Sequence, residues 1–267
     1  MPVKREIVLL LTKMNRVLDF DETQGVLQCE AGMVLETAIN LVGKHGYDVP
    51  YDLGARGSCT IGGNVSTHAG GINFVKYGPL RGNVLGLEVV LPSGKILNMM
   101  NTARKDSTGP DLKQIFIQSE GTLGIITKVA LRCEASSPEK KLMFLDVAEY
   151  SHVLQVLNFA KQKFGRNLSA IEYMDHQSYD LVHSFKNKLL DFPFSYDQSL
   201  DQSQVKKWYV LVECSGRDEE EIMGSIEQFV ETLDEAGIFN DMVVGENISQ
   251  ARNLWDIRES VAESATS

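Results

Sequence analysis

The chain has 267 residues, 43% of them hydrophobic, and a formal net charge of -10 at pH 7. That is enough apolar side chain to bury one large or two modest cores. The acidic balance, with no Lys/Arg run to offset it, argues against a nucleic-acid partner, and no apolar run reaches membrane-spanning length.

Residues 1–6 are too short and mixed to be a targeting peptide, so no transit peptide is expected in this chain. Residues 7–12 form an apolar run of strand length. Residues 25–31 alternate and predict a strand, followed by helical spacing from Val34 to Val42, with Gly46 as a stop signal. Residues 51–82 are glycine-rich and predict no regular element. A strand over 85–91, a turn at 92–95 and a returning strand over 96–99 predict a hairpin. A short helix over 111–117, a tight turn at 121–124 and a strand over 125–133 complete the first part. The Pro-containing polar segment 135–141 marks a boundary, which separates domains at 1–134 and 142–267.

Beyond it, strands and helices alternate: 142–147, 153–164, 169–174 and 178–185. After a loop rich in Asp, Ser and Gln they alternate again, at 208–214, 219–233, 241–244 and 249–263. This rhythm predicts an α+β domain with helices on a sheet. The cysteines Cys29, Cys59, Cys133 and Cys214 are scattered without a C-x-x-C pair, which predicts buried reduced thiols. The histidines His45, His68, His152, His176 and His183 show no metal-ligand spacing, so no metal site is expected in this stretch.

Two segments carry chemistry. Residues 52–71 hold two glycine pairs, Gly62-Gly63 and Gly70-Gly71, among the short donors Ser58, Thr60, Asn64 and Thr67. Paired glycines let the main chain approach a ligand, and successive N–H groups can cradle a diphosphate; the alternative is a glycine-rich surface loop. No G-x-G-x-x-G or G-x-x-x-x-G-K-[ST] occurs, which disfavours a Rossmann NAD site and a P-loop. In residues 119–127, Gly121 and Gly124 bracket an apolar strand start, which an ordinary turn explains equally well.

Together the segments IGGNVSTHAGG (61–71), LGLEVVLPSGKIL (85–97), DLKQIFIQSEGTLGIIT (111–127) and LSAIEYMD (168–175) resemble the FAD-binding PCMH-type flavoenzymes. Within that family they are most similar to the branch of D-2-hydroxyglutarate dehydrogenases and nearby D-lactate dehydrogenases. The resemblance runs from about residue 7 to residue 263. It implies part of a PCMH-type FAD-binding domain followed by an α+β substrate, or cap, domain. It implies FAD contacts at Ser58, Gly62, Gly63, Asn64, Gly70, Gly71, Gly121, Gly124 and Ile126. His68 stands where the family usually has Asn. The segment NLWDIRES (253–260) resembles the helix that offers a substrate-binding Arg, here Arg258, whose planar fork suits a carboxylate; by spacing alone it is an ordinary helix Arg paired with a Glu. The branch tends to have Thr at position 262, where this chain has Ala262.

The resemblance also implies an earlier glycine-rich loop before residue 7, and after residue 267 a segment with zinc ligands and a His base. On that reading the chain is an incomplete form with little or no activity of its own, or a non-catalytic protein acting by binding. The catalytic residues stay unassigned. The implied substrate is a 2-hydroxyacid, the implied electron acceptor is electron-transfer flavoprotein, and the implied setting is the mitochondrial matrix.

Overall fold

A computed structural model describes residues 7–194, 201–202 and 205–266. Residues 1–6 and part of the Asp/Ser/Gln-rich loop lie outside the described residues. The chain divides into two compact units between Ser136 and Ser137.

In the first unit a five-stranded antiparallel sheet runs in the order β1-β2-β6-β4-β5, with β1 (Val17–Asp21), β2 (Val26–Glu30), β6 (Ile125–Arg132), β4 (Val84–Val90) and β5 (Ile96–Met99). The alternation around residue 26 puts Leu27 and Cys29 in the core, and β6 adds Val129 and Leu131. Helix α1 (Leu35–Gly43) buries Leu35, Ala38 and Val42, the spacing of one helical face. A two-stranded ribbon pairs β3 (Tyr47–Asp48) with β7 (Glu134–Ala135).

Two expectations are corrected here. First, residues 7–10 form no strand and are exposed, Ile7 to 96%. A run of strand length needs a partner for its main-chain groups, and this one instead leads to a turn, where Met14 N–H donates to Leu11 O and Gly32 N–H to Met14 O. The first strand is β1, which reaches β2 through a turn held by Asp21, whose Oδ1 accepts from Thr23 and Gln24 N–H at 2.9 and 3.0 Å.

Second, the glycine-rich stretch is not irregular throughout. It contains α2 (Ile61–Thr67) and the single turns α3 (Phe74–Tyr77) and α4 (Leu80–Asn83). Thr60 caps α2 by accepting from Gly63 N–H, while Ile61 and Val65 point into the core. Glycine is a poor helix former, but a Cβ on Gly62 would lie 2.5 Å from Ala31 Cβ, so only glycine lets this helix reach β2. Packing overrides propensity. The short helix near residue 111 is α5 (Lys113–Phe116).

The boundary segment 135–141 spans the division between the units. Its second half opens β8 (Glu139–Val147), the first strand of the second unit. There the sheet order is β11-β8-β10-β9, all antiparallel, with β9 (Leu168–Asp175), β10 (Trp208–Gly216) and β11 (Asp241–Val244). Helices α6 (Tyr150–Phe164) and α8 (Glu219–Glu235) pack together with the sheet through Val156, Ala160, Phe164, Ile226 and Phe229. Helices α7 (His176–Lys186) and α9 (Ile248–Ser264) pack on each other and enclose a core of Phe144, Tyr179, Tyr209, Leu254 and Ile257. Side-chain caps start three of these helices: Asp175 for α7, Asp218 for α8 and Asn247 for α9. Each such cap stabilises a helix by about 1 kcal/mol. No helix among the described residues is long and apolar enough to cross a membrane.

Candidate functional site

The first unit carries a groove of about 320 Å³. Leu9, Leu10, Leu11, Ile125 and Ile126 supply its apolar wall, and Gly62, Gly63, Gly121 and Gly124 bring main chain to its surface, with Thr12, Thr60 and Ser66 adding hydroxyls. The sheet and α2 dictate this arrangement. Gly124 leads into β6, where a Cβ would lie 2.7 Å from Val89 Cγ1, so the turn can press against β4 only without a side chain. Glu120 N–H donates to Ser66 O and Gln118 N–H to Val65 O, which ties the 118–124 turn to α2.

The donors are not those that the glycine pair suggests. Ile61, Gly62 and Asn64 N–H donate to Met33 O, Ala31 O and Thr60 O, so these three donors are already paired within the first unit. Gly121 and Gly124 N–H have no partner among the described residues, and both glycines line the groove. Open main-chain donors, three hydroxyls and an apolar wall form a lining that fits the diphosphate and ring system of a dinucleotide.

The expected FAD contacts therefore divide. Gly62, Gly63, Gly121, Gly124 and Ile126 line the groove. Ser58 is exposed on the turn before α2, its hydroxyl donating to Ala55 O. Asn64 is buried, and its amide donates to Tyr51 OH at 3.3 Å and Cys59 Sγ at 3.5 Å. Gly70 and Gly71 follow α2 outside the lining. Gly71 has φ +107°, and a Cβ there would meet Asp52 O at 2.2 Å, so it serves a close chain crossing. His68 ends α2 in the left-handed region. Burial, then the nearby Arg81 charge, lowers its pKa, which favours the neutral ring.

The second unit carries a cavity of about 540 Å³, lined by Tyr173, Met174 and Asp175 of β9, Ser178 of α7, Trp208 of β10, and Arg258, Val261, Ala262 and Ala265 in and after α9. Among the described residues, Arg258 is its only lining cation. It pairs through Nε with Glu172 of β9, so the ordinary helix pairing holds as well as the position at the cavity. Tyr150, Tyr173 and Trp208 form an aromatic trio beside it, with ring centroids 5.1 to 6.0 Å apart. Asp175 also lines the cavity, but Ser178 N–H engages its Oδ1 at 2.8 Å. A single guanidinium edged by apolar and aromatic walls can hold one carboxylate and the carbon chain behind it.

Spacing did not point to Glu172, Tyr173 or Trp208. The first two lie in the LSAIEYMD segment, whose strand alternation was the only available signal. Among the described residues, no group of three or more His, Cys, Asp or Glu side chains is placed to hold a metal ion.

Known proteins resemble this chain in sequence and in fold. Residues 2–100 match the FAD binding domain family, and residues 136–267 match the C-terminal domain of FAD linked oxidases. A probable mitochondrial D-2-hydroxyglutarate dehydrogenase of Oryza sativa subsp. japonica is 42% identical over 99% of this chain and 46% of its own length. A putative mitochondrial D-lactate dehydrogenase of Schizosaccharomyces pombe is 40% identical over 98% of this chain and 48% of its own. The chain thus spans about half the length of the curated relatives it matches. The solved structure of alkyldihydroxyacetonephosphate synthase shares the fold, with a TM-score of 0.68 at 18% identity over 92% of this chain and 45% of that one.

Proposed function

The chain belongs to the FAD-linked oxidases, and from that premise we propose that it binds FAD in the first unit's groove and a D-2-hydroxyacid in the second unit's cavity. The reaction served is oxidation of the acid to its 2-oxo counterpart, D-2-hydroxyglutarate to 2-oxoglutarate. The observation that carries the substrate reading is Arg258 as the sole cation, among the described residues, lining a cavity with aromatic and aliphatic walls.

Bound flavin supplies the hydride acceptor for this chemistry. The residues described here bind and orient. Gly121 and Gly124 offer N–H donors, and Ile125 and Ile126 exclude water from the groove wall. Ser58, Asn64, Gly70 and Gly71 support the cradle through the turns and crossings before and after α2. Arg258 takes the carboxylate through two parallel charge-assisted hydrogen bonds. Tyr173, Trp208 and Val261 shield that pair from water, which strengthens it.

A D-lactate reading stands beside this one. Ala262 adds no hydroxyl to the cavity, and one lining cation meets only one carboxylate. The acceptor of the electrons is electron-transfer flavoprotein, and the setting is the mitochondrial matrix, supported by the mitochondrial names of the relatives. Zinc belongs to the same proposal for the whole enzyme; no ligand to it is assigned among the residues described.

Calorimetric titration of D-2-hydroxyglutarate and D-lactate into the FAD-supplied chain tests the substrate reading. The expected result is binding that Arg258→Ala weakens by about thirtyfold, the worth of a charge-assisted pair. Equal binding to wild type and variant would remove Arg258 from the site. Binding of D-lactate in preference to D-2-hydroxyglutarate would select the alternative.

A further inference from the structure

Arg258 carries a long side chain with several free torsions, yet a clamp must present its fork in one direction. Two features of the second unit bear on this. The first is the roll of α9. Leu254 and Ile257 are buried in the core, and Trp255 Nε1 donates to Glu213 Oε2 at 3.1 Å. Glu213 is itself buried and accepts from Ser169 Oγ at 2.6 Å through its other oxygen. Trp255 and Arg258 are three residues apart and share a helix face, so this anchor sets the direction in which Arg258 leaves the helix.

The second feature is Glu172. It meets Arg258 at Nε, it is the one partner that the described residues give that guanidinium, and it does not line the cavity that Arg258 lines. Its side chain is 21% exposed against 40% for Arg258, so the carboxylate is the more enclosed partner. A guanidinium has two usable edges. With Nε held, the Nη1–Nη2 edge stays available for a second, bidentate carboxylate.

We propose that Glu172 is the positioning residue of the clamp: it fixes the Nε edge of Arg258 and so presents the Nη1–Nη2 edge to the ligand. The inference rests on the reading of Arg258 as a carboxylate clamp. Glu172 touches no substrate; it acts through the guanidinium. Its charge also offsets that of Arg258, so selection depends on fork geometry more than on net attraction. A positioned, charge-balanced fork favours a planar carboxylate over an anion of other shape.

The test is calorimetric titration of D-2-hydroxyglutarate into the full chain supplied with FAD, using a double-mutant cycle. Glu172→Ala frees the fork and weakens binding about tenfold, within the range of couplings between contacting residues. Glu172→Gln keeps an acceptor for Nε–H and restores binding to within about threefold of wild type. In an Arg258→Lys background, which has no Nε edge to hold, Glu172→Ala changes binding less than about twofold. A merely structural role would weaken binding equally in both backgrounds and would not be rescued by Gln. Wild-type binding with no loss in Glu172→Ala, or equal losses in both backgrounds, would overturn the role of Glu172 alone. No binding to the wild-type chain would overturn the clamp reading and this inference with it.

Discussion

The groove of the first unit depends on close main-chain approach, and the cavity of the second takes its polar groups from side chains. In the first unit, Gly62 and Gly124 at the groove and Gly71 outside it let chain segments approach to distances that a Cβ would forbid, and the groove's open donors include N–H groups. In the second, a strand Glu, a helix Arg, a buried Glu bonded to a half-buried Trp, and an aromatic trio surround the cavity. A main-chain site is intolerant of any side chain added at its crossings. A side-chain site can lose its chemistry while its fold survives.

Gly71→Ala should show the first half of this contrast most strongly. The new Cβ would sit 2.2 Å from Asp52 O at φ +107°, and strain plus overpacking together cost about 3 kcal/mol or more. Gly70→Ala is the control, because a Cβ there has nothing within 4 Å. Urea denaturation should separate the two variants; equal stabilities would mean that the crossing is not tight.

A pH prediction extends the contrast to the cores. Burial pushes the thiols of Cys29, Cys133 and Cys214 up to about 12. An unfolded thiol ionises near about 8.5. Above that pH the unfolded chain releases protons that the folded chain keeps, so the stability from these thiols is complete below it and is lost as pH rises toward about 12. Burial raises the hydroxyls of Tyr51 and Tyr179 in the same sense. With two of the three thiols, the first unit should weaken more steeply in alkaline denaturation. A Cys133→Ala chain that declined as steeply as wild type would contradict this.

Trp255→Phe has the smallest expected effect on stability. It removes the donor to Glu213 Oε2 and leaves the ring volume nearly filled, a loss of about 1 to 2 kcal/mol. It should also weaken hydroxyacid binding by letting α9 roll. Lost stability with unchanged binding would show that the roll of α9 does not direct Arg258.

The two units also differed in how much of them could be read from the sequence. The second unit's strands and helices were legible because each segment repeats with the right period. Strand β10 opens with Trp208, Tyr209 and the apolar run Val210 to Val212, and α8 places Ile222, Ile226, Phe229 and Leu233 on one face. The first unit's glycine-rich stretch was not, since α2 is a helix through packing of Gly62 on Ala31 and against the propensity of its residues. Residues 7–12 misled because hydrophobic periodicity cannot report whether a partner strand is present. The glycine pair drew attention to the right part of the groove, but the open donors belong to the 119–124 turn, whose pattern alone suggests only a turn. Arg258 was legible through resemblance. Its tie to Glu172 was not, because it joins a strand and a helix far apart in the chain.

The central claim, that this chain builds an FAD groove, is tested most directly by gel filtration of the purified chain after incubation with FAD, followed by an absorbance spectrum of the protein peak. The account predicts flavin bands that co-elute with folded protein in near-equal amount. Flavin that elutes free of a folded chain would contradict it.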